Sequence, residues 1–289
     1  MTTQLMLAGK LDLAKVDWSR RMVASPKLDG IRAVVLGGVV YSRNMKPIPN
    51  SQVQELFGQP KYNGYDGELI VGSPMGVAVF NRTTRLVMAH ATRSAELGFH
   101  VFDTLPSANA RGMAYSARWS GIQPGEGVEK VAQTAVAESA ALRTLMDNFV
   151  GQGYEGLMLR DVAAPYKHGR STVKEHGLLK YKLFEDFEAR VVGHIEELHN
   201  TNNKDALGKR TSHKAGKVGK GTLGALVVIG VNGQFKNVQF EVGTGFTAAQ
   251  RAQLWETQTL GLVCTVKCVP YGAVDKPRFP VFKSWRHDI

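Results

Sequence analysis

The chain has 289 residues, of which 43% are hydrophobic and 21% charged, and a formal net charge of +11. This balance is typical of a folded globular protein and excludes a disordered one, and the length allows one large domain or two medium ones. The excess of basic side chains favours a polyanionic partner, with nucleic acid ahead of an anionic membrane or an acidic protein.

The sequence shows neither a membrane span nor a signal peptide. No segment has the roughly 18 consecutive apolar residues of a transmembrane helix, and the N-terminus lacks a basic start followed by a sustained apolar stretch. The only cysteines, Cys264 and Cys268, alternate along a predicted strand, which places their Cα atoms roughly 13 Å apart, too far for a disulfide. We therefore expect reduced core thiols, no membrane partner and a cytoplasmic location, or the host cytoplasm if the source is viral.

Short β-rich segments dominate the first part of the chain. The segment "IRAVVLGGVVYSR" predicts two strands joined by a hairpin turn at Gly37-Gly38. Further short strands are predicted in "YDGELIVGSP", "GVAVFNRTT" and "GFHVFDTLP", whereas residues 85–98 are compatible with a helix or a loop. Residues 126–152 are Ala-rich with apolar residues three and four apart, which predicts a helix in two pieces that ends near Gly151 or Gly153.

From residue 188 onwards the pattern changes to strands with one short helix. "VNGQ" at residues 231–234 predicts a hairpin turn, and Thr247 is a suitable N-cap for the helix "TAAQRAQLWETQ". About five strands and one helix in this length suit a small OB-type barrel. We place the domain boundary near residues 183–187, which gives domains of 1–186 and 187–289.

A basic segment, residues 199–221, interrupts the strands of the second domain. It carries six Lys or Arg residues against one Asp and few apolar residues. A connection of this length inside a small domain is usually functional or disordered, so a solvated loop and a binding element are equally compatible with it.

Several common catalytic motifs are absent. The segment "AGKVGKGT" is glycine-rich, but no Gly-Lys pair is followed by Ser or Thr as in a P-loop. The G-x-S-x-G of hydrolases and the H-E-x-x-H of zinc enzymes are also missing, and no dinucleotide-binding G-x-G-x-x-G follows a predicted strand.

Charged side chains instead recur at the ends of predicted strands. Lys27 is the most unusual of them, because it lies between Pro26 and an Asp-Gly step, directly before an apolar run. An exposed turn lysine is the simpler interpretation, since burying a lysine costs several kcal/mol unless a partner compensates for it. Similar clusters are Asp29, Ser42-Arg43-Asn44, Asp66-Gly67-Glu68, Phe102-Asp103, Glu155-Gly156, and Lys180 with Lys182 on one face of a strand.

Together these clusters describe a pocket with carboxylates, lysines, an arginine and an aromatic ring. Neighbouring cations such as Lys180 and Lys182 would favour the neutral, nucleophilic form of Lys27, or would bind phosphates. The carboxylates would hold a divalent ion, most plausibly magnesium bridging to phosphate, and Phe102 would stack on a base.

Six of these motifs, in their order along the chain, resemble those of the covalent nucleotidyltransferases. They are "KLDGIR", "SRN", "DGEL", "VFD", "EGLMLR" and "LLKYK", which are similar to motifs I, Ia, III, IIIa, IV and V of that superfamily. The chain resembles in particular the compact viral type of ATP-dependent DNA ligase, from Ser25 to the C-terminus and least over residues 105–150. The resemblance implies an α+β fold, with an ATP-grasp-like nucleotidyltransferase domain of antiparallel sheets and helices followed by an OB-fold β-barrel.

The resemblance also implies roles for individual residues. Lys27 would attack the α-phosphate of ATP and carry AMP as a phosphoramidate, with Lys180 and Lys182 gripping that phosphate. Asp29, Glu68 and Glu155 would hold a metal ion. This ion would be Mg²⁺, for which Mn²⁺ would substitute. The nucleotide would be bound by Ser25, Arg32, Glu68, Phe102 and, in the C-terminal motif VI "PRFPVFKSWRHD", by Arg286 and secondarily Arg278.

Nicked duplex DNA is the substrate that the resemblance implies, sealed by a monomer that encircles it. The basic segment falls where the compact ligases carry a latch that closes around DNA. The residues implied in DNA binding are Arg43, Lys204, Lys209, Arg210, Lys214, Lys217 and Lys220.

Two other functions stay open at this point. An RNA-joining or mRNA-capping enzyme shares the K-x-D-G motif, although capping would use GTP and would not need a latch. A non-catalytic OB-type DNA binder with an inactive nucleotidyltransferase half is the second alternative, and the complete set of charged motif residues argues against it.

Overall fold

The computed structural model describes residues 4–76, 78–105, 112–182, 184–203, 210–211, 213–257, 259–269 and 275–286. The chain divides into two units, Met1–Leu183 and Phe184–Ile289. The domain limits expected from the sequence, 1–186 and 187–289, stay a prediction.

The first unit is built around two sheets. Its strands are β1 (Met6–Leu7), β2 (Gly9–Lys10), β3 (Met22–Pro26), β4 (Ile31–Leu36), β5 (Val39–Ser42), β6 (Tyr65–Val71), β7 (Leu97–Thr104), β8 (Val128–Lys130), β9 (Thr134–Val136), β10 (Gly156–Asp161), β11 (Gly169–Arg170) and β12 (Leu179–Lys182). Over the described ranges one sheet has the order β2-β12-β10-β3-β9, the second has the order β5-β4-β6-β7-β8, and β1 pairs with β11.

Four helices of the described part of this unit accompany the sheets: α1 (Ser51–Phe57), α2 (Val79–Val87), α3 (Tyr115–Ser120) and α4 (Ser139–Gly151). Leu142 and Met146 of α4 pack against Leu157 and Leu159 of the first sheet. Helices α1 and α2 belong to a separate core on the second sheet, so each sheet has its own apolar layer.

The connection from β3 to β4, residues 27–30, passes from the first sheet to the second. Gly30 is required there because an added Cβ would lie 2.1 Å from the carbonyl oxygen of Leu69 and 2.8 Å from the Glu68 side chain. The close approach to β6 therefore fixes where Lys27 leaves its strand, at the junction of the two sheets.

The predicted hairpin at Gly37-Gly38 is confirmed, since β4 and β5 pair across it and both glycines have positive φ, 57° and 77°. The strands predicted at residues 65–71 and 97–104 are also present as β6 and β7.

Two predictions for this unit are wrong. The segment "GVAVFNRTT", predicted as a strand, begins α2, because its buried positions Val79, Thr83 and Leu86 follow a helical spacing that a short window does not reveal. Only the second piece of the helix predicted over residues 126–152 exists, as α4. The first piece contributes β8 and β9, whose pairing with β7 and β3 overrides the helical propensity of an Ala-rich stretch.

The second unit contains β13 (Glu185–Asn200), β14 (Lys217–Gly230), β15 (Gln239–Val242), α5 (Ala248–Glu256), β16 (Val263–Val269) and β17 (Arg278–Arg286). Its described strands form one sheet of order β15-β14-β13-β16-β17. The predicted barrel is not closed by a continuous ladder. Among the described residues, its edges meet at the isolated bridge between Thr244 and Val281, where the amide of Phe282 donates to the carbonyl of Thr244 at 2.9 Å.

The sequence predictions for the second unit are confirmed only in part. Thr247 caps α5 in a capping box with Gln250, and both cysteines are buried, as predicted. The hairpin predicted at residues 231–234 is present, because β14 and β15 pair antiparallel on either side of it, but its connection is longer than a tight turn and buries Phe235 in the core. The basic segment is strand at both ends, since Asn200 of β13 pairs with Lys217 of β14. No helix in the described residues is long and apolar enough to cross a membrane.

Asn50 joins the start of α1 to the end of α2 and provides a test of this fold. Its Oδ1 accepts from the amide of Val53, and its Nδ2 donates to the carbonyls of Leu86, Ala89 and Thr92 at 2.7–3.0 Å. We expect Asn50→Ala to lower the free energy of unfolding by about 2–4 kcal/mol, because buried carbonyls lose their donor and α1 loses its cap.

Urea denaturation measures this loss. Gln59→Ala is the control, because the side-chain amide of Gln59 donates to the nearby carbonyls of Glu55 and Leu56. We expect this substitution to change the free energy of unfolding by no more than about 0.5 kcal/mol. Equal losses for the two variants would contradict the role of Asn50.

Candidate active site

Lys27 directly follows β3 and is held by backbone bonds on both sides. Its amide donates to the carbonyl of Gly156 at 2.8 Å, and the amide of Glu155 donates to the carbonyl of Lys27 at 3.3 Å. The side chain is only 19% exposed. Lys27 is therefore not an exposed turn lysine, and the compensating partner that a buried lysine requires lies beside it.

That partner is Glu155, a buried carboxylate between two ammonium groups. One of its oxygens pairs with Nζ of Lys27 and the other with Nζ of Lys182. Burial alone would raise the pKa of Glu155, but the charges of Lys27 and Lys182 outweigh it and lower the pKa. Glu155 is thus ionised at neutral pH and fixes the two lysines around it.

The lysines of β12 are perturbed in turn. Burial lowers the pKa of Lys182, and the charge of Lys27 adds to the effect. The pKa of Lys180 is also lowered, by burial first and then by Lys182 and Lys27. This concentration of positive charge would stabilise a phosphate group placed among the three side chains.

Glu68 and Asp29 are the other carboxylates of the site. Glu68 is half-buried on β6, and burial raises its pKa to about 7, with Glu155 and Asp29 adding to the shift and Lys27 and Arg32 opposing it. Asp29 is buried in the connection between the sheets. Glu68 therefore titrates near neutral pH, unlike Glu155.

Arg32 and Phe102 form the aromatic side of the site. Arg32 makes two bonds to the buried carboxylate of Asp66, at 2.5 and 2.7 Å, and its guanidinium carbon lies 4.6 Å from the centroid of the Phe102 ring. Burial opposes the charge of Arg32, but Asp66 raises the pKa of Arg32 above its ordinary value.

A cavity of about 740 Å³ connects these groups. It is lined by the predicted nucleotide and catalytic residues Ser25, Lys27, Arg32, Glu68, Phe102 and Lys180 and by Arg43, which was predicted to bind DNA, whereas the predicted catalytic residues Asp29 and Lys182 are not among its lining residues. The lysines and Glu155 come from the first sheet or directly adjoin its strands, whereas Arg32, Glu68 and Phe102 come from the second. The pocket thus has a phosphate-binding side and an aromatic side, each on its own sheet.

Several lining residues were missed by the sequence reasoning. They include Met158 and Arg160 of β10, Arg170 of β11, and Leu5 and Leu7 at the N-terminus. Met158 and Arg160 lie within the motif "EGLMLR" and alternate along its strand, so the motif itself contained the signal. The N-terminal residues carry no such signal, because they reach the pocket only through pairing of β1 with β11.

The carboxylates fit a metal ion only in part. Within the described residues no group of three or more His, Cys, Asp or Glu side chains is arranged to hold an ion, and both oxygens of Glu155 contact lysines. Mg²⁺ usually binds through one or two carboxylates together with water and substrate phosphates. One or two of the carboxylates Asp29, Glu68 and Glu155, together with the phosphates of a nucleotide, would meet this requirement.

The remaining predicted site residues belong to the second unit. Arg286 pairs with Glu188 at 2.7 Å, and the Arg278 guanidinium lies 5.4 Å from the ring centroid of Phe279. These contacts lie inside the second unit, so the predicted nucleotide roles of both arginines stay predictions.

The predicted DNA-binding residues of the basic segment differ in their exposure and in their partners. Arg210 donates to the carbonyls of Thr201 and Asn202, and Lys220 pairs with Glu197 at 2.6 Å, so both have partners within the protein. Lys214 and Lys217 are exposed, whereas Lys204 and Lys209 lie outside the described residues.

Matches to family models cover most of the chain. Residues 6–182 match the ATP dependent DNA ligase domain, and residues 215–286 match the DNA ligase OB-like domain. No curated protein matches the sequence significantly.

Solved structures give the same result. One similar structure comes from a structure–function analysis of Lig E DNA ligases that concerns DNA binding with a minimal scaffold. It is 28% identical to this chain with a TM-score of 0.74, and the match covers 99% of this chain and 100% of that one. The Chlorella virus DNA ligase-adenylate is 27% identical, with a TM-score of 0.55 and full coverage of both chains. The ATP-dependent DNA ligase of bacteriophage T7, solved with ATP, shares the fold at 16% identity, a TM-score of 0.52 and 99% coverage of each chain.

The raised pKa of Glu68 predicts a pH-dependent loss of stability. The pKa of Glu68 is about 7 in the folded protein, whereas its ordinary value, which applies to the unfolded chain, is 4.5. Its contribution to stability is therefore complete below about pH 4.5 and is lost as the pH rises through 7, because the folded protein must then bury a charged carboxylate. We expect Glu68→Gln to increase the free energy of unfolding at pH 8 by about 1–3 kcal/mol more than it does at pH 5.

Urea denaturation at both pH values measures the difference. The exposed Glu126→Gln is the control and should give the same change at both. A pH-independent effect of Glu68→Gln would show that Glu68 is ionised throughout this range.

Proposed function

The chain belongs to the ATP-dependent DNA ligase family, whose reaction is the sealing of nicks in DNA at the expense of ATP, and we propose that Lys27 carries the AMP in that reaction. The observation that carries the proposal is the position of Lys27. Its amine is held by Glu155 at the mouth of a cavity that also presents Lys180 and the Arg32–Phe102 pair. No other lysine of the described residues combines these features.

The proposed reaction has three transfers at phosphorus. In the first, Nζ of Lys27 releases a proton to solvent and attacks the α-phosphorus of ATP, a P–N bond forms, the bond from that phosphorus to the bridging oxygen breaks, and pyrophosphate leaves. In the second, an oxygen of the 5′-phosphate at the nick attacks the same phosphorus and releases Lys27. In the third, the 3′-hydroxyl attacks the 5′-phosphate, the strand is sealed, and AMP leaves.

Positioning by the residues of the pocket supports each transfer. Glu155 orients Nζ of Lys27, and Lys180 and Lys182 neutralise charge on the transferred phosphate. Phe102 stacks on adenine, Arg32, Glu68 and Ser25 hold the nucleoside, and Arg43 contacts the 5′-phosphate. Mg²⁺, or Mn²⁺ in its place, would be held by Asp29, Glu68 and Glu155 and would screen the phosphate charges.

DNA binding is proposed for the ribbon formed by the ends of β13 and β14. Exposed Lys214 and Lys217 lie at its tip, and a two-stranded ribbon has dimensions that fit a DNA groove. We further propose that the chain works as a cytoplasmic monomer that surrounds the duplex, which accounts for the charge of +11.

Replacing Lys27 tests the covalent step. We expect Lys27→Ala to abolish the transfer of label from α-labelled ATP to the protein and to abolish sealing of nicked DNA, while DNA affinity persists. Lys10→Ala is the matched control, because Lys10 heads a second Lys-Leu-Asp triplet but is exposed on β2. Gel analysis of the denatured protein, followed by a chase with nicked duplex, measures both steps.

Each alternative function has a distinct outcome in this experiment. Label from GTP instead of ATP, or label that a nick does not discharge, would replace the ligase mechanism by capping or RNA chemistry. Label that persists in Lys27→Ala would place the covalent bond on another residue.

The salt dependence of DNA binding tests the ribbon. We expect the double substitution Lys214→Ala with Lys217→Ala to weaken binding of nicked duplex and to reduce the slope of log K against log salt by about 2, because each phosphate contact contributes about 1. Lys236→Ala, at an exposed lysine elsewhere in the second unit, should leave the slope unchanged. Equal slopes for all three proteins would exclude phosphate contacts at the tip.

A further inference from the structure

A buried tyrosine outside the motifs connects the N-terminal strand to the nucleotide pocket. We propose that Tyr166 is a positioning residue for ATP binding, which acts by fixing Asp66 and, through it, Arg32. The inference rests on the proposed function, because it takes Arg32 as part of the nucleotide site.

The contacts of Tyr166 close a ring of hydrogen bonds. Its hydroxyl donates to Oδ2 of Asp66 at 2.7 Å and accepts from the amide of Met6 at 3.1 Å. Asp66 in turn accepts from Nε and Nη2 of Arg32, and Nη2 also reaches the carbonyl of Met6 at 3.4 Å. The four residues come from β1, β4, β6 and the segment before β11, which share no sequence neighbourhood.

Burial makes this ring sensitive to the loss of one member. Asp66 is fully buried and Tyr166 is 5% exposed, so water does not readily replace a missing partner. Burial and the charge of Asp66 raise the pKa of Tyr166 well above its usual value, so the hydroxyl keeps its proton and remains the donor. Without that hydroxyl, Oδ2 of Asp66 loses a donor and the amide of Met6 loses its acceptor.

Loss of the Tyr166 hydroxyl would affect the nucleotide pocket in two ways. Asp66 holds the Arg32 guanidinium 4.6 Å from the centroid of the Phe102 ring, and both of these side chains line the cavity. Met6 lies between Leu5 and Leu7, which form the N-terminal wall of the same cavity. Strand β1 pairs with β11 over two residues, and the bond from the Met6 amide to Tyr166 adds to the backbone bonds that hold this wall.

Substitution of the hydroxyl alone is the direct test. Tyr166→Phe keeps the ring that packs 5.5 Å from the Arg118 guanidinium and removes only the oxygen. We expect the KM for ATP in lysyl-AMP formation to rise about 3- to 10-fold, the effect of one buried hydrogen bond, with the rate at saturating ATP unchanged. KM does not depend on the fraction of active enzyme, so partial unfolding does not imitate this result.

The matched control is Tyr65→Phe. Tyr65 is also buried in the first unit, and its hydroxyl likewise accepts from one amide and donates to one carbonyl, both of Gln123. The Tyr65 hydroxyl makes no hydrogen bond to Asp66 or Arg32 among those that the structure describes, and its loss should leave the KM for ATP unchanged.

A double-mutant cycle shows whether Tyr166 acts through Arg32. The probe is α,β-methylene-ATP, which binds without charging Lys27, so that affinity is measured for inactive variants as well. We expect Tyr166→Phe to weaken binding in the wild-type background and to have a smaller effect in Arg32→Ala, because the part that acts through Arg32 is already lost.

Three results would overturn the inference: an unchanged KM in Tyr166→Phe, an equal rise in Tyr65→Phe, or additive effects of Tyr166→Phe and Arg32→Ala. If the wild-type protein is not labelled by ATP at all, the proposed function fails instead. A wild-type protein that is labelled normally, beside a Tyr166→Phe variant with the same KM, rejects the role of Tyr166 alone.

Discussion

The site depends on one buried carboxylate between two ammonium groups. Glu155 pairs with Lys27 and Lys182 at once, and this arrangement explains how these two lysines are accommodated near Lys180 beside the cavity. Without the central negative charge, burial of these cations would cost several kcal/mol each, and the lysines would turn towards solvent. With it, the amine of Lys27 is kept beside the cavity, and the surplus positive charge is left for a phosphate.

The backbone supports this charge arrangement through two glycines. Gly30 lets β6 approach the connection between the sheets, and Gly156 has a φ of 152° where an added Cβ would lie 2.3 Å from the carbonyl of Tyr181. Both glycines are in motifs beside the charged residues, Gly30 after Asp29 and Gly156 after Glu155. The motifs therefore combine the reactive side chains with the close backbone contacts that bring these side chains together.

Much of the site was accessible from the sequence, since motif residues lie at the ends of strands and strand ends meet in space. The hairpin at Gly37-Gly38 and the cap at Thr247 were predictable for a similar reason, because short-range geometry determines both. The first turns of α2 and the strand β8 were not, because tertiary pairing decides between helix and strand in short apolar stretches. Tyr166 was invisible for a stronger reason, because its partners lie 100 and 160 residues away along the chain and no periodicity marks them.

The division of the pocket between two sheets has a consequence for how such an enzyme changes during evolution. The lysines and Glu155 belong to or adjoin the strands of one sheet, whereas Arg32, Glu68 and Phe102 belong to the other. A substitution at Phe102 of β7 would therefore change the surface offered to a base while leaving the three lysines and Glu155 in place. The same reaction at phosphorus would then serve nucleotides with different bases, because the residues that contact the base are separate from the lysines that contact the phosphate.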